Sequence, residues 1–192
     1  RSEHPLGKAI IQAAASLGQR SSHTLDKAVK EEVLKEKIEL FEVSDFEAVP
    51  GKGIKGNLLI GGEIFQAALG NREILKVLGL DTKGMESEIQ KLENDGKTVM
   101  ILVLRRDQDE FGEVAGLIAV ADILKPEAKE AVEKLKESGL EIWMLTGDNE
   151  RTAKAIGKQV GIENIMAQVL PQNKAVKVQE LQKQGKKVAM VG

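Results

Sequence analysis

The chain has 192 residues, 42% of them hydrophobic, which is enough for one large domain or two small ones with real cores. Its 28 basic and 30 acidic side chains leave a net charge of −2, so there is no electrostatic footprint for nucleic acid, and none is expected as a partner. No Cys excludes disulfides and thiolate metal sites, no Tyr leaves an aliphatic core, and no stretch approaches the roughly 20 apolar residues that span a bilayer.

The first predicted element is a helix: Leu6, Ala9, Ile10, Ala13, Ala14 and Leu17 recur at helical spacing, and Gly18 ends the run. Pro5 fits its first turn, where a missing N–H costs nothing, and His4 stands at its mouth. Thr24 to Lys37 reads as a charged helix or an insertion, with Leu25, Ala28, Val29, Val33 and Leu34 on one side. Period-two patterning then begins. Phe41 and Val43, and after a shift of phase Phe46 and Ala48, mark a first strand, and Pro50-Gly51-Lys52-Gly53 a tight turn. Ile54, Leu58 to Ile60 and Ile64 to Ala68 mark further short strands, punctuated by Gly56-Asn57 and Gly61-Gly62. Arg72 to Leu78 reads as a short helix and Met85, Ile89 and Leu92 as a longer one stopped by Gly96. Thr98 to Leu104 and Val114 to Val120 form a hairpin around a polar loop.

From about Leu117 strands and helices alternate: strand Leu117 to Ala121, helix Pro126 to Ser138, strand Glu141 to Leu145, helix Glu150 to Val160, strand Asn164 to Ala167, helix Lys174 to Gln184, strand Lys187 to Val191. Such a series argues for a parallel sheet with helices on its faces. The expected fold class is therefore α/β overall: an antiparallel-sheet α+β domain over residues 1–116, then a parallel α/β domain over 117–192, joined near Gly116 to Asp122.

Five segments are candidates for chemistry. Leu145-Thr146-Gly147-Asp148-Asn149 lies where a strand gives way to a helix, the end at which open α/β sheets bind ligands. The Thr146 hydroxyl, the loop amides and the helix N-terminus suit a phosphate oxygen, and Asp148 suits it only if a cation or an amine shares the site. A turn with a helix cap accounts for the same residues equally well taken alone. Lys174 opens a helix, where the dipole disfavours a cation. It either bridges a carboxylate and a phosphate or is simply solvated. Ser2-Glu3-His4-Pro5 places an imidazole where it could stack on a base, or is a helix start. Gly51-Lys52-Gly53-Ile54-Lys55-Gly56 lets a ligand or another backbone approach closely and adds positive charge, without the spacing of a Walker loop; it is also a glycine hairpin turn. Gly70-Asn71 reads as a turn.

Together and in this order, these segments resemble the cytosolic part of the heavy-metal P-type ATPases over nearly the whole chain. Ser2-Glu3-His4-Pro5-Leu6 is similar to the hallmark of that subfamily's nucleotide-binding domain. Gly51 and Gly53, then Gly70-Asn71, follow in the family's order. Val120 to Ala128 resembles the hinge into the phosphorylation domain, with Asp122 in it. Met144 to Asn149 matches Thr-Gly-Asp-Asn, and Val169 to Lys174 matches Leu-Pro-x-x-Lys.

The resemblance implies a nucleotide-binding domain followed by an incomplete haloacid-dehalogenase-like phosphorylation domain. It implies an ATP pocket formed by His4, Gly51, Gly53, Gly70 and Asn71, with Glu3 as a weaker member. Thr146, Asp148 and Lys174 would line the phosphoryl site. It also implies ATP and Mg²⁺, an actuator domain and transmembrane helices as partners, a transported heavy-metal ion, and a membrane-bound parent with this segment facing the cytosol. In such pumps the γ-phosphoryl group passes to an aspartate, which is covalent catalysis by a carboxylate. Gly70 to Glu73 and Ala119 to Ala128 look most like copper pumps. Zinc, cadmium and lead pumps share much of this machinery, and a soluble haloacid-dehalogenase-type phosphatase or a non-catalytic nucleotide-binding regulator are the other readings.

The family's Asp-Lys-Thr-Gly-Thr does not occur in the chain, and Gly192 stands where its Gly-Asp-Gly-x-Asn-Asp would begin. Both ends therefore read as cuts through a longer polypeptide. The chain alone is expected to bind nucleotide weakly, not to phosphorylate itself, and to be marginally stable or associating beyond about residue 117.

Overall fold

A computed structural model describes residues 5–19, 33, 35–77, 80, 84–106, 108–109, 112–121 and 124–191. Glu3, His4, Asp122 and most of the expected helix from Thr24 to Lys37 lie outside the described residues. The chain divides into two compact units, Arg1–Ile89 with Val99–Val120, and Gln90–Thr98 with Ala121–Gly192.

The first unit is built on a five-stranded sheet whose order follows the chain: β1 Glu42–Val49, β2 Gly53–Ile60, β3 Glu63–Gly70, β4 Thr98–Arg106 and β5 Glu113–Val120. The pairs from β1 to β4 are antiparallel. The phase shift between Val43 and Phe46 is a bulge: the β1–β2 register slips between Ser44 and Glu47, with Asp45 at φ 51°. Helix α1, Pro5–Gly18, covers one face of the sheet. Its small residues allow close approach; Ala13, Ala14, Ala15 and Leu17 are buried with Ile54, Leu58, Ala67, Leu69, Met100 and Leu102. Leu17, Leu58 and Leu102 are fully sequestered, and each contributes roughly 2 kcal/mol of transfer free energy. The short helix α2, Arg72–Val77, follows β3 and lies against it, burying Ile74 and Leu75. Helix α3 spans Glu86–Asn94.

In the second unit, β6 Trp143–Leu145 and β7 Asn164–Met166 pair in parallel, Met144 opposite Ile165, with α5 Glu150–Val160 between them. This is the crossover that the alternating pattern predicted. Helix α4, Ala128–Glu137, precedes β6, and α6, Lys174–Lys183, follows a 3₁₀ turn at Pro171–Asn173. Ala153, Val160, Val169 and Leu181 are buried here. Helix α4 buries no residue, and Leu135, Leu140, Leu170, Val176 and Met190 are all exposed.

Two expected strands are not formed as read. Residues 187–191 are irregular, because an apolar run becomes a strand only where a neighbour offers a ladder, and the parallel sheet described has two strands. Leu117 to Val120 is the end of β5 beside β4, not the first strand of the α/β series. Its apolar residues serve the antiparallel sheet, where Gly116 packs so tightly on α1 that a Cβ there would sit 2.5 Å from Ile10 Cδ1.

Candidate functional site: a paired-glycine turn and a hydroxyl–carboxylate loop

Four predicted nucleotide-pocket residues come together in the first unit. The β1–β2 turn is closed by Lys52 N–H donating to the Val49 carbonyl at 3.0 Å, and Gly51 adopts φ 72°. Gly53 and Gly70 then face each other at the ends of β2 and β3. A Cβ on Gly53 would stand 2.2 Å from the Leu69 carbonyl oxygen, and one on Gly70 would stand 2.1 Å from that of Lys52. Of the two readings left open for these glycines, close approach of another backbone is the one that the contacts around Gly53 and Gly70 display.

Asn71 locks the turn. Its N–H donates to the Lys52 carbonyl at 2.9 Å, and its Nδ2 to the Gly51 carbonyl at 2.9 Å. Its Oδ1 accepts from Glu73 N–H at 2.9 Å, opening α2. The result is a hydrogen-bonded turn with Gly51 and Asn71 exposed, Lys52 and Gly53 half-buried and Gly70 buried. Glu73 is held below the ordinary carboxylate value by a hydrogen bond from Lys76, aided by the charges of Lys76 and Lys52.

The second cluster lies at the C-terminal end of β6. Thr146 prolongs the ladder, donating its N–H to the Met166 carbonyl and accepting from Val169 N–H, both at 3.0 Å. Its Oγ1 donates to Asp148 Oδ2 at 2.6 Å and accepts from Asp148 N–H at 3.1 Å. Gln168 N–H donates to the Asp148 carbonyl at 2.8 Å. Asn149 caps α5, its Oδ1 accepting from Arg151 and Thr152 N–H at 3.0 and 3.1 Å. A hydroxyl, a carboxylate and a capped helix start thus converge where ligands of parallel sheets bind. Lys174 sits half-buried at the start of α6, its N–H donating to the Pro171 carbonyl. Among the described residues, no hydrogen bond or ion pair joins its ammonium to Asp148 or Thr146.

Sequence reasoning missed the residues behind this loop. Thr98 Oγ1 donates to Asp148 Oδ1 at 3.1 Å, and Thr152 Oγ1 donates to the Lys97 carbonyl at 2.8 Å. Glu93 is 1% exposed and lies 3.6 Å from Arg151. Thr152 could have been found as the partner of a capping Asn149 three residues earlier. No local signal marks Thr98, fifty positions from Asp148. A cavity of about 430 Å³ in the first unit is lined by Ser16, Gln19, Leu40, Phe41, Glu42 and Val43, none of them a predicted site residue.

A family model for haloacid dehalogenase-like hydrolases matches residues 1–192, and the chain belongs to that family. Within it, the sequence matches heavy-metal P-type ATPases. It is 42% identical over 193 residues to a probable copper-importing P-type ATPase A of Enterococcus hirae, covering 100% of this chain and 23% of the relative. It is 41% identical over 182 residues to a copper-exporting P-type ATPase of Staphylococcus saprophyticus (95% of this chain, 22% of the relative), and 40% identical over 185 residues to one of Bacillus subtilis (96% and 22%). The chain thus spans 22–23% of the length of these relatives. Among solved structures, the catalytic domain of the CPx-ATPase CopB-B shares the fold, with a TM-score of 0.58 at 23% identity, covering 96% of this chain and 61% of that one. A zinc-transporting PIB-type ATPase in its E2.Pi state gives 0.56 at 27% identity, covering 92% and 27%.

Proposed function

We propose that the chain is the ATP-binding and phosphoryl-site portion of a copper-transporting P-type ATPase, in which ATP drives ion transport through an aspartyl phosphate. The observation that carries this reading is the Thr146–Asp148 pair at the C-terminal end of a parallel strand, directly ahead of a capped helix. Copper is favoured because the curated relatives that match at 40–42% identity over nearly the whole chain are named as copper pumps.

In this reading Gly51, Gly53, Gly70 and Asn71 contribute to the ATP pocket, with His4 assigned to the adenine and Glu3 as a weaker member. Thr146 turns its hydroxyl from Asp148 to a phosphate oxygen. Lys174, whose ammonium has no ion pair among the described residues, offsets the acyl-phosphate charge. Magnesium that arrives with a nucleotide needs only one or two protein carboxylates. Among the described residues, no cluster of three acidic or imidazole groups exists, but Asp148 beside Thr146 offers hard oxygens and meets that minimum. Asp148 would hold the ion, which when bound neutralises phosphate charge. Because Asp-Lys-Thr-Gly-Thr is absent from the sequence, the phosphate-accepting carboxylate is assigned to another part of the pump, along with the actuator domain, the transmembrane helices and the transported metal. The reading therefore makes the isolated chain a nucleotide binder without ATPase activity.

Calorimetric titration with ATP and incubation with γ-labelled ATP test both halves. Heat of binding without a stable covalent label is the expected result. No binding at millimolar ATP would overturn the pocket, and a stable label would overturn the assignment of the acceptor elsewhere.

A further inference from the structure

Asp148 has both carboxylate oxygens engaged by hydroxyls. Thr146 serves Oδ2 from the adjacent loop. Thr98 serves Oδ1 from the stretch 90–98 that belongs to the second unit. That stretch is fastened to α5 in three ways. Glu93, almost wholly buried, faces Arg151. Gly96, at φ 78°, lies so close to α5 that a Cβ would stand 3.2 Å from Gln159 Nε2 and 3.7 Å from Ala155 Cβ. The Lys97 carbonyl accepts from the fully buried Thr152, whose Oγ1 also receives Asn149 Nδ2 at 2.9 Å. Asn149 follows Asp148 directly. The hydroxyl of Thr98 is thus held in a fixed relation to the residue it serves.

A carboxylate with one fixed donor still turns about its terminal torsion, which is broad and roughly two-fold. A second donor on the other oxygen fixes its plane. We infer that Thr98 is a positioning residue of the phosphoryl site, acting through Asp148: with Thr146 it fixes the carboxylate in the free chain, and it remains the donor that holds Oδ1 when Thr146 turns its hydroxyl to a phosphate oxygen. The inference rests on the proposed role of the Thr146–Asp148 loop. The stretch 93–98 is its support, because hydroxyls aim well only when the backbone that carries them is locked.

The test is nuclear magnetic resonance on the full chain with ¹³C-labelled aspartate, comparing wild type with T98V, which keeps the shape and removes the hydroxyl, and T98S, which restores it. In T98V the Asp148 carboxyl signal is expected to move while the Thr152 amide stays in place, and T98S returns the carboxyl to its original position. Magnesium chloride with inorganic phosphate is the probe of function. T98V should need about tenfold more phosphate to shift the Thr146 and Asp148 amides, the equivalent of one hydrogen bond to a charged group, and T98S should respond as wild type. An unmoved Asp148 carboxyl signal in T98V, or a T98S that fails to restore it, overturns the inference. Wild-type amides indifferent to phosphate would instead sink the phosphoryl-site reading, and the carboxyl signal would still decide the positioning. Should T98V lose its fold, T98A removes the same hydroxyl without adding volume and carries the same comparison.

Discussion

Substituting Gly70 by Ala isolates the geometry on which the glycine turn depends. Gly70 is buried at the end of β3, and its backbone is not left-handed, so its requirement for glycine is one of space. A Cβ there would meet the Lys52 carbonyl oxygen at 2.1 Å, Gly53 Cα at 2.9 Å and the Lys52 carbonyl carbon at 3.0 Å. All three are backbone atoms, and none can swing aside as a side chain would. Relief requires the ends of β2 and β3 to part by more than an ångström. That overpacks or opens the sheet at about 1–3 kcal/mol and strips the Asn71-to-Lys52 hydrogen bond, worth about 1 kcal/mol. The sum, about 2–4 kcal/mol, lowers the thermal midpoint of the first unit by about 10–20 °C. Gly61→Ala is the control: φ is 60° and nothing lies within 4 Å, so its cost is the left-handed backbone alone, about 1 kcal/mol. Thermal unfolding by circular dichroism and calorimetric ATP titration read the two variants. G70A should melt well below G61A and bind ATP at least tenfold more weakly, while G61A keeps its affinity. A G70A as stable as G61A would refute the close-approach argument.

Asn149→Ala removes the cap of α5, where one side-chain oxygen accepts from two backbone N–H groups; urea unfolding should show a loss of about 1 kcal/mol, most of which Asn149→Ser recovers. Gly157→Ala sets helix propensity against packing. The substitution favours an isolated helix by about 1 kcal/mol, but here the Cβ would lie 2.6 Å from Ile165 Cδ1 and 2.7 Å from the Ile162 carbonyl oxygen. The backbone oxygen decides the sign, so net destabilisation is expected, and a stabilised G157A would contradict the packing. Glu150 is held below its ordinary value of 4.5 by the hydrogen bond from Lys154 and that lysine's charge. A depressed folded value adds stability above the unfolded value and loses it as pH falls through the folded one. The stability difference between wild type and Glu150→Gln should therefore be constant and small from about pH 8 to pH 6, shrink as pH falls below the ordinary value of 4.5, and vanish once the folded-state carboxylate is protonated. A difference that grows on acidification would reverse the sign of the argument.

Where local chemistry decides structure, the sequence was legible. The Ala and Leu spacing of α1, the Gly61-Gly62 hairpin and the Asn149 start of α5 all depend on residues within a few positions of each other. The facing of Gly53 and Gly70 was half legible. Each glycine marked a turn, but only the β2–β3 register shows that they need each other. Residues 187–191 carry the apolar run of a buried strand, and the ladder that would make them one is a tertiary matter. Thr98 and Glu93 were invisible for the same reason: a threonine opening a strand and a glutamate on a polar helix look ordinary until the loop or helix that they meet, some fifty positions away, is in place. The Thr146–Asp148 bond was within reach, because a threonine and an aspartate two apart around a glycine readily share a turn. The absence of an ion pair between Lys174 and that aspartate was not.

The central claim is that the glycine turn is part of a nucleotide pocket. Amide chemical-shift mapping of the full chain during titration with a non-hydrolysable ATP analogue and magnesium tests it most directly. The account predicts saturable shifts at Gly51, Gly53, Gly70 and Asn71, weakened in G70A and kept in G61A. Saturable shifts confined to other parts of the chain, with these four amides unmoved, would contradict it.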